Sequence, residues 1–299
     1  MKTVALLADD PQNLYQQLLI REAGACAARH DVTLLPAEFG LGSSWTQLES
    51  IHAHLRRESR PDGLLVMLAG GQFTSSVFER VAKAGMAVVF LNRIPPWAED
   101  LRKRYPEALI AGVAPHQFGI GQIQARHALR LAPRGGFLVL ITGEAASPAA
   151  VERKRGFVET VGRAIDVHDL DGRWSAAGAQ KTLANWLRIG AERERPIDLV
   201  VCHNDAMAEG ARRALVEQAE RSGRKEVALP PIVGCDGLEQ EGLAMLSRGE
   251  LVATVVVPPT TPPALEVLRR YWDSGARPAA TVLVEAASYP PLAQVRPRS

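Results

Sequence analysis

Two periods of apolar and polar residues take turns along this chain. Short continuous apolar runs, TVALLA (3–8), VTLLP (32–36), GLLVML (63–68) and AVVFL (87–91), alternate with longer amphipathic stretches. The runs read as buried strands, and the stretches, over 14–29 and 44–57 and with Phe73, Val77 and Val81 on one face, read as helices. A weaker strand follows near LIAGV (109–113). The alternation then restarts with a helix over 117–131, the strand GFLVLITG (136–143) and a helix to about Val161. That helix is opened by Ser147-Pro148, a cap with proline at the first helical position. Next come AIDVHDL, a helix around 176–191, IDLVVC, a helix from about Ala206, PPIVGC, a short helix near 238–247 and ATVVV. A helix over 263–273 and the strand TVLVE close the series. Ser44-Trp45-Thr46-Gln47 fits a capping box at the start of its helix.

Continuous apolar strands separated by helices imply parallel sheets covered on both faces. About a dozen strands are too many for one comfortable sheet, and the β-α-β-α-β pattern up to about residue 110 repeats from about 136. The chain is therefore expected to form two doubly wound α/β lobes, with ligand chemistry at strand carboxyl ends. VCHNDAMAEGARRAL (201–215) marks one such end, where Asn204 and Asp205 stand between strand and helix. They are either helix caps or ligand contacts.

Composition narrows the function. The 299 residues are 46% apolar and 23% charged, and 35 basic against 33 acidic residues leave a net charge of +2. Without a dominant basic block, nucleic-acid binding is not indicated. No apolar run reaches the roughly 18 residues that span a bilayer, so direct membrane insertion is not expected. The start MKTVALLADDPQ lacks the long apolar core and cleavage site of a secretory signal. The location thus depends on Met1: cytoplasmic if it is the native start, periplasmic if a signal has been removed. Cys26, Cys202 and Cys235 show neither disulfide nor zinc spacing and read as buried small hydrophobes. His52 and His54 point to opposite sides of their helix, and the other histidines, scattered singly, read as surface residues. There is no phosphate loop, dinucleotide fingerprint or serine-hydrolase elbow. No enzyme activity, metal or cofactor is expected.

HNDAMAEGA (203–211), PIVGCDG (231–237) and LVATVVVP (251–258) follow one another with VFLNR (89–93) and AVERKRGF (150–157) in register ahead of them. Together these motifs resemble the periplasmic sugar-binding protein family, whose fold the lactose-repressor core domains share. The resemblance spans essentially the whole chain. It implies two doubly wound parallel-sheet lobes joined by three hinge crossings, residues 1–113 plus 258–284 and residues 114–257 plus 285–299. It also implies closure of the lobes on a small polar ligand, foremost a monosaccharide, with periplasmic transport or sensing through a membrane transporter or sensor protein. The alternative is the effector core of a lactose-repressor-type regulator without its DNA-binding head.

By matching positions, Asn204 and Asp236 would contact the ligand from the second lobe, and Asn92 and Arg93 from the first. Arg153 would reach in from its helix, Tyr15 and Trp174 would stack on the sugar, and Asp205 would hold the corner. Amides, carboxylates and guanidinium forks suit sugar hydroxyls, and aromatic faces suit the C–H faces. Each residue has a structural rival: a turn for Asp236, an ion pair for Arg93, plain packing for Tyr15 and Trp174, and a solvated helix face for Arg153. Val151 and Val257 stand where many sugar binders carry Arg and Gln, and Asn92 replaces a commoner Asp, which makes the site less polar than a ribose-type one.

Overall fold

The computed structural model describes residues 1–70, 73–189, 196–223 and 228–296. The chain forms two compact units, one of Met1–Pro115 and Pro258–Val284, the other of His116–Val257 and the segment from Glu285 onward, so it passes between them three times. The first unit opens with β1 (Lys2–Ala8), α1 (Leu14–Arg29), β2 (Val32–Leu34), β3 (Glu38–Phe39), α2 (Ser44–Arg56) and β4 (Gly63–Val66). It continues through α3 (Ser76–Lys83), β5 (Ala87–Leu91), α4 (Ala98–Arg104) and β6 (Ile110–Pro115). The second contributes α5 (Gln117–Leu131), β7 (Phe137–Thr142), α6 (Pro148–Val161), β8 (Asp166–Asp171) and α7 (Ala176–Arg188). β9 (Leu199–Cys202), α8 (Asp205–Arg221), β10 (Ile232–Val233) and β11 (Thr254–Val256) follow. The chain then returns α9 (Thr261–Ser274) and β12 (Thr281–Val284) to the first unit and β13 (Ala287–Tyr289) to the second.

The first unit is built on a seven-stranded sheet ordered β12-β6-β5-β4-β1-β2, with β3 also paired to β1. Its pairings are parallel, as between β1 and β4, where Val4 faces Gly63 and Leu7 faces Val66. Successive strand residues point to opposite faces, and both faces are buried. Val4, Leu6, Leu65 and Val89 pack with Leu19 and Ala23 of α1 and Leu265 and Leu268 of α9. Ala5, Leu7, Leu64 and Phe90 pack with Ile51 of α2, Phe78 of α3 and Leu101 of α4. The second unit repeats this on the sheet β10-β9-β7-β8. There Val139, Ile141 and Val200 pack against α7 and α8, and Leu138, Leu140 and Val201 against α5 and α6. Strand order reverses between β1 and β4 in one unit and between β7 and β9 in the other. Those are the places where doubly wound sheets present ligand-binding loops.

The structure departs from the sequence expectations in local features. The cap of α2 is Ser43, whose hydroxyl accepts from Thr46 N–H, and not Ser44. Gln47 is therefore no capping partner. It is buried, donates to the carbonyls of Ala8 and Met67 and accepts from Ala69 N–H, stitching the ends of β1 and β4 together. α4, too short for a clear apolar period, was not foreseen. The final strand is β13, paired antiparallel with β11, so the pairing is not parallel throughout. The helix expected near 238–247 begins as a π turn (Glu239–Leu243) before Ala244–Ser247. Residues 190 and 191 of the helix expected over 176–191 lie outside the described residues.

Candidate functional site

In the second unit the apolar strand β9 ends at Cys202, and the next three residues divide the work of the corner. Asn204 is the N-cap of α8: its Oδ1 accepts from Met207 N–H at 2.8 Å and its Nδ2 donates to the Trp174 carbonyl at 3.2 Å. The helix start expected of Asp205 is capped by Asn204, while Asp205 holds the local structure around it, and both polar atoms of Asn204 are engaged within the protein. Asp205 is fully buried and reaches further. Its carboxylate accepts from Gly237 N–H at 2.7 Å and from the Thr254 hydroxyl at 2.8 Å, tying the loop after β10 and the strand β11 to α8. A Cβ at Gly234 would stand 2.0 Å from Asp205 Oδ1, so only glycine lets this loop lie on the carboxylate.

Arg153, from α6, is 5% exposed and not on a solvated helix face. Its Nε donates to Gln117 Oε1, and its Nη1 donates to the His203 carbonyl and, at 3.4 Å, to Cys235 Sγ. Its guanidinium carbon lies 5.3 Å from the centre of the Trp174 ring, a cation–π arrangement. That ring also lies 6.0 Å from the His203 ring, and it crosses so close to Gly143 that a Cβ there would be 2.0 Å from it. Asp236, half-buried at the end of β10, receives the Cys235 thiol at 3.9 Å. Arg153, Trp174, Asp236 and Asn204 are thus brought into one connected group.

Desolvation dominates its electrostatics. Burial pushes the Asp236 carboxyl up to about 7; the Arg153 charge pulls it back and Glu241 adds to the rise. Burial and then repulsion from Asp236 raise Asp205 well above the carboxylate range, against its two hydrogen bonds. Glu241 is raised by burial and by Glu209. His203 is driven well below its ordinary value by burial and by Arg153, and so stays a neutral ring.

In the first unit, Asn92 and Arg93 follow β5. Asn92 Oδ1 accepts from the Thr260 hydroxyl at 2.9 Å. Among the described residues Arg93 forms no carboxylate pair: its Nη2 donates to the carbonyls of Leu68 at 3.3 Å and Ala69 at 2.8 Å. The Tyr15 hydroxyl donates to the Pro258 carbonyl at 3.5 Å, and its ring packs against the core. At the end of β1, Asp9 Oδ1 accepts from Gly42 N–H at 2.7 Å.

Backbone strain marks three of the seven expected residues. Asn92, Trp174 and Asp236 have φ of 61°, 58° and 101°, a region that side chains with a Cβ rarely adopt. Such strain persists where the surroundings hold it in place, and it gathers at ligand-binding sites. Sequence reasoning missed His203, Cys235 and Gln117 as members of the group. The expectation that the scattered histidines lie on the surface is corrected for His127 and His203, which are fully buried, as is His54. The signal for His203 was its place, directly after the apolar run of β9. Val257 is buried, whereas Val151 is 50% exposed on α6. Among the described residues no group of His, Cys, Asp and Glu could hold a metal, and no helix is long and apolar enough to cross a membrane.

Residues 16–261 match the periplasmic binding protein domain family. The chain is 27% identical over 199 residues to a putative rhizopine-binding protein of Rhizobium meliloti, covering 65% of this chain and 60% of that one. It is 26% identical over 158 residues to the galactofuranose-binding protein YtfQ of Escherichia coli (strain K12), covering 52% of this chain and 48% of the relative. The match thus spans less than two thirds of either relative's length. A solved periplasmic solute-binding protein of an ABC transporter from Actinobacillus succinogenes, with bound D-allose, superposes with a TM-score of 0.81 at 18% identity, over 99% of both chains. The fold is that of type I periplasmic binding proteins.

Proposed function

We propose that this chain, which belongs to the periplasmic binding protein family, binds a small sugar or sugar-like ligand without transforming it, and serves transport or sensing in the periplasm. The observation that carries the reading is the connected strand-end group of the second unit: Asp236 and Trp174 in strained backbone, with buried Arg153 set against the Trp174 ring and linked to Asp236 through Cys235. Strain of this kind is retained where a side chain must be presented in one orientation; a carboxyl suits sugar hydroxyls and an aromatic face suits C–H groups. Asn92, Arg93 and Tyr15 are the first unit's counterparts, and Asn204 acts through its hold on Trp174. The names of the relatives and the bound D-allose support a sugar-like ligand. The partner is a membrane transporter or a sensor protein.

The test is thermal unfolding of the protein and of its Asp236→Ala variant in the presence of pentoses, hexoses, sugar alcohols and phosphorylated sugars. A ligand at 100 times its dissociation constant stabilises by about 2.7 kcal/mol, and this shift should vanish in the variant. A flat response to every compound would overturn the reading.

A further inference from the structure

The outer face of α2, in the first unit, carries chemistry that the strand-end groups do not use. At 3.6 residues per turn, Trp45, Glu49, His52 and Arg56 fall within about 60° of one another, turned away from the buried Gln47, Ile51 and His54. With Leu48 and Arg57 this stripe lines a surface groove of about 630 Å³ beside Glu38 of β3. Trp45 is 69% exposed, whereas the four other tryptophans of the chain are half-buried. A large aromatic ring left in water beside further apolar surface marks a place where something else packs.

The loop that leads into α2 adds to this. Leu41 is 67% exposed and has φ of 54°, a left-handed conformation that a leucine rarely adopts. The loop around it is firmly held. Leu41 N–H donates to the Asp9 carbonyl and Gly42 N–H to Asp9 Oδ1, both at 2.7 Å, and Ser43 N–H donates to the Gly40 carbonyl at 3.0 Å. A strained, exposed leucine is thus fixed four residues ahead of the exposed tryptophan, and retained strain of this kind gathers at contact sites.

At the far end of the groove, positive charge is left over. Arginines of other helices are paired, such as Arg104 with Glu79, Arg213 with Glu209, and Arg269 and Arg270 with Glu266. Among the described residues no ion pair or hydrogen bond engages the side chains of Arg56 and Arg57, and Arg80 of α3 meets His52 Nδ1 at 3.0 Å without a carboxylate. Of the two carboxylates in the groove, Glu38 is taken up by the buried His54, 2.8 Å from its Nε2, which leaves Glu49 against three arginines.

We propose that this face of α2 docks an acidic segment of a partner protein, with an apolar side chain over Trp45 and Leu48 and carboxylates paired with Arg56 and Arg57. Guanidinium groups bind carboxylates in two-pronged fashion, and tryptophan and arginine dominate the energetics of protein contacts. Exposed ion pairs are weak one by one, so the apolar anchor supplies affinity and the charges supply selectivity. Trp45 and Arg56 are about 16 Å apart along the helix, so the apolar and acidic positions of an extended segment are about five residues apart.

The probe is a randomised dodecapeptide phage-display library, selected on the full chain at low salt. Enriched clones should carry an apolar residue and, about five positions away, two or more Asp or Glu. A synthetic peptide of that sequence should bind Trp45→Ala and the double variant Arg56→Gln/Arg57→Gln at least tenfold more weakly, and its Glu-to-Gln version should lose as much on the parent protein. The three substituted side chains are exposed, so both variants should melt with the parent. No enrichment, enriched peptides without acidic residues, or peptides that bind both variants as they bind the parent would each overturn the proposal. A parent dimer in sedimentation that Trp45→Ala splits would assign the face to a second copy and overturn it. Binding to phosphatidylglycerol vesicles that is lost in the double variant, with no peptide enriched, would assign it to lipid and overturn it too. None of these outcomes touches the sugar-binding reading, which thermal unfolding tests separately.

Discussion

The two units hold their strand-end polar groups by different means. In the second, Arg153, His203 and Asp205 are buried and tied across elements, the guanidinium to the His203 carbonyl and the Cys235 thiol, the Asp205 carboxyl to the Thr254 hydroxyl and the Gly237 amide. In the first, Tyr15, Asn92 and Arg93 are half-buried; Tyr15 and Arg93 bond main-chain carbonyls, and Asn92 bonds the Thr260 hydroxyl and, at 3.9 Å, Met67 Sδ. A carboxyl beside other titratable groups changes its affinity for protons when any of them moves; an amide does not titrate. Substitutions in the second unit should therefore alter fold stability and ligand chemistry together, while those in the first should separate the two.

The largest separation is expected at the two arginines. Arg153→Met leaves Gln117 Oε1 and the buried His203 carbonyl without their charged donor and should cost about 4 kcal/mol of stability in urea unfolding. Arg93→Met gives up hydrogen bonds to two carbonyls at a half-buried position and should cost about 1 kcal/mol. Equal losses at the two positions would erase the distinction.

Acid should act on the second unit more strongly. His127 Nε2 donates to Ser288, whose hydroxyl is itself directed to the Pro290 carbonyl, and its buried Nδ1 has no partner among the described residues. Burial holds this ring at about 4 instead of its ordinary 6.5. The unfolded chain binds a proton from pH 6.5 downward while the folded chain refuses it until about 4, so stability falls across that window, by up to about 3 kcal/mol. His203 adds in the same sense. Asp236 runs the other way: its folded carboxyl keeps a proton up to about pH 7 that an unfolded carboxyl loses near 4, so its contribution shrinks as pH rises between those values. His127→Gln should flatten the acid limb of the melting temperature between pH 6.5 and 4. His54→Gln in the first unit should flatten it less, because Glu38, 2.8 Å from His54 Nε2, offsets burial there. A larger effect at His54 would invert the comparison.

A smaller effect is expected at the hub of the second unit. Asp205→Ala orphans the Gly237 amide and the Thr254 hydroxyl and should cost about 2 kcal/mol by urea unfolding. Asp205→Asn, which still offers an acceptor, should cost about half of that.

The sequence carried the framework because strand runs and helical faces are local, periodic signals. α1, α5 and α6 begin and end within a residue or two of where their apolar faces and caps place them. Gln47 was misread for a physical reason: three residues after a serine it has the spacing of a capping partner, and only the pairing of β1 with β4 shows that it serves two strand ends. His203 and Cys235 were invisible as site members because one read as a scattered surface histidine and the other as a buried small hydrophobe. What makes them matter is Arg153, which lies 50 residues from the first and 82 from the second. Motif resemblance did single out Asn92, Trp174 and Asp236, but their common property, a positive φ, is a feature of the folded chain.

That property gives the finest test of how the units differ. At Asn92, φ of 61° penalises any Cβ, so Asn92→Ala should be less stable than Asn92→Gly by about 1 kcal/mol, although both lose the bond from Thr260. At Asp236, φ of 101° should give a difference at least as large between Ala and Gly. Ligand affinity should then divide the two sites. If Asn92 contacts the ligand through its amide, Ala and Gly lose the same affinity, since neither has an amide. If position 92 serves only to turn the chain toward Arg93, Asn92→Gly should bind as the parent does, because it keeps the turn without strain. At Asp236 both replacements should lose binding, because there the carboxyl and not the turn meets the ligand.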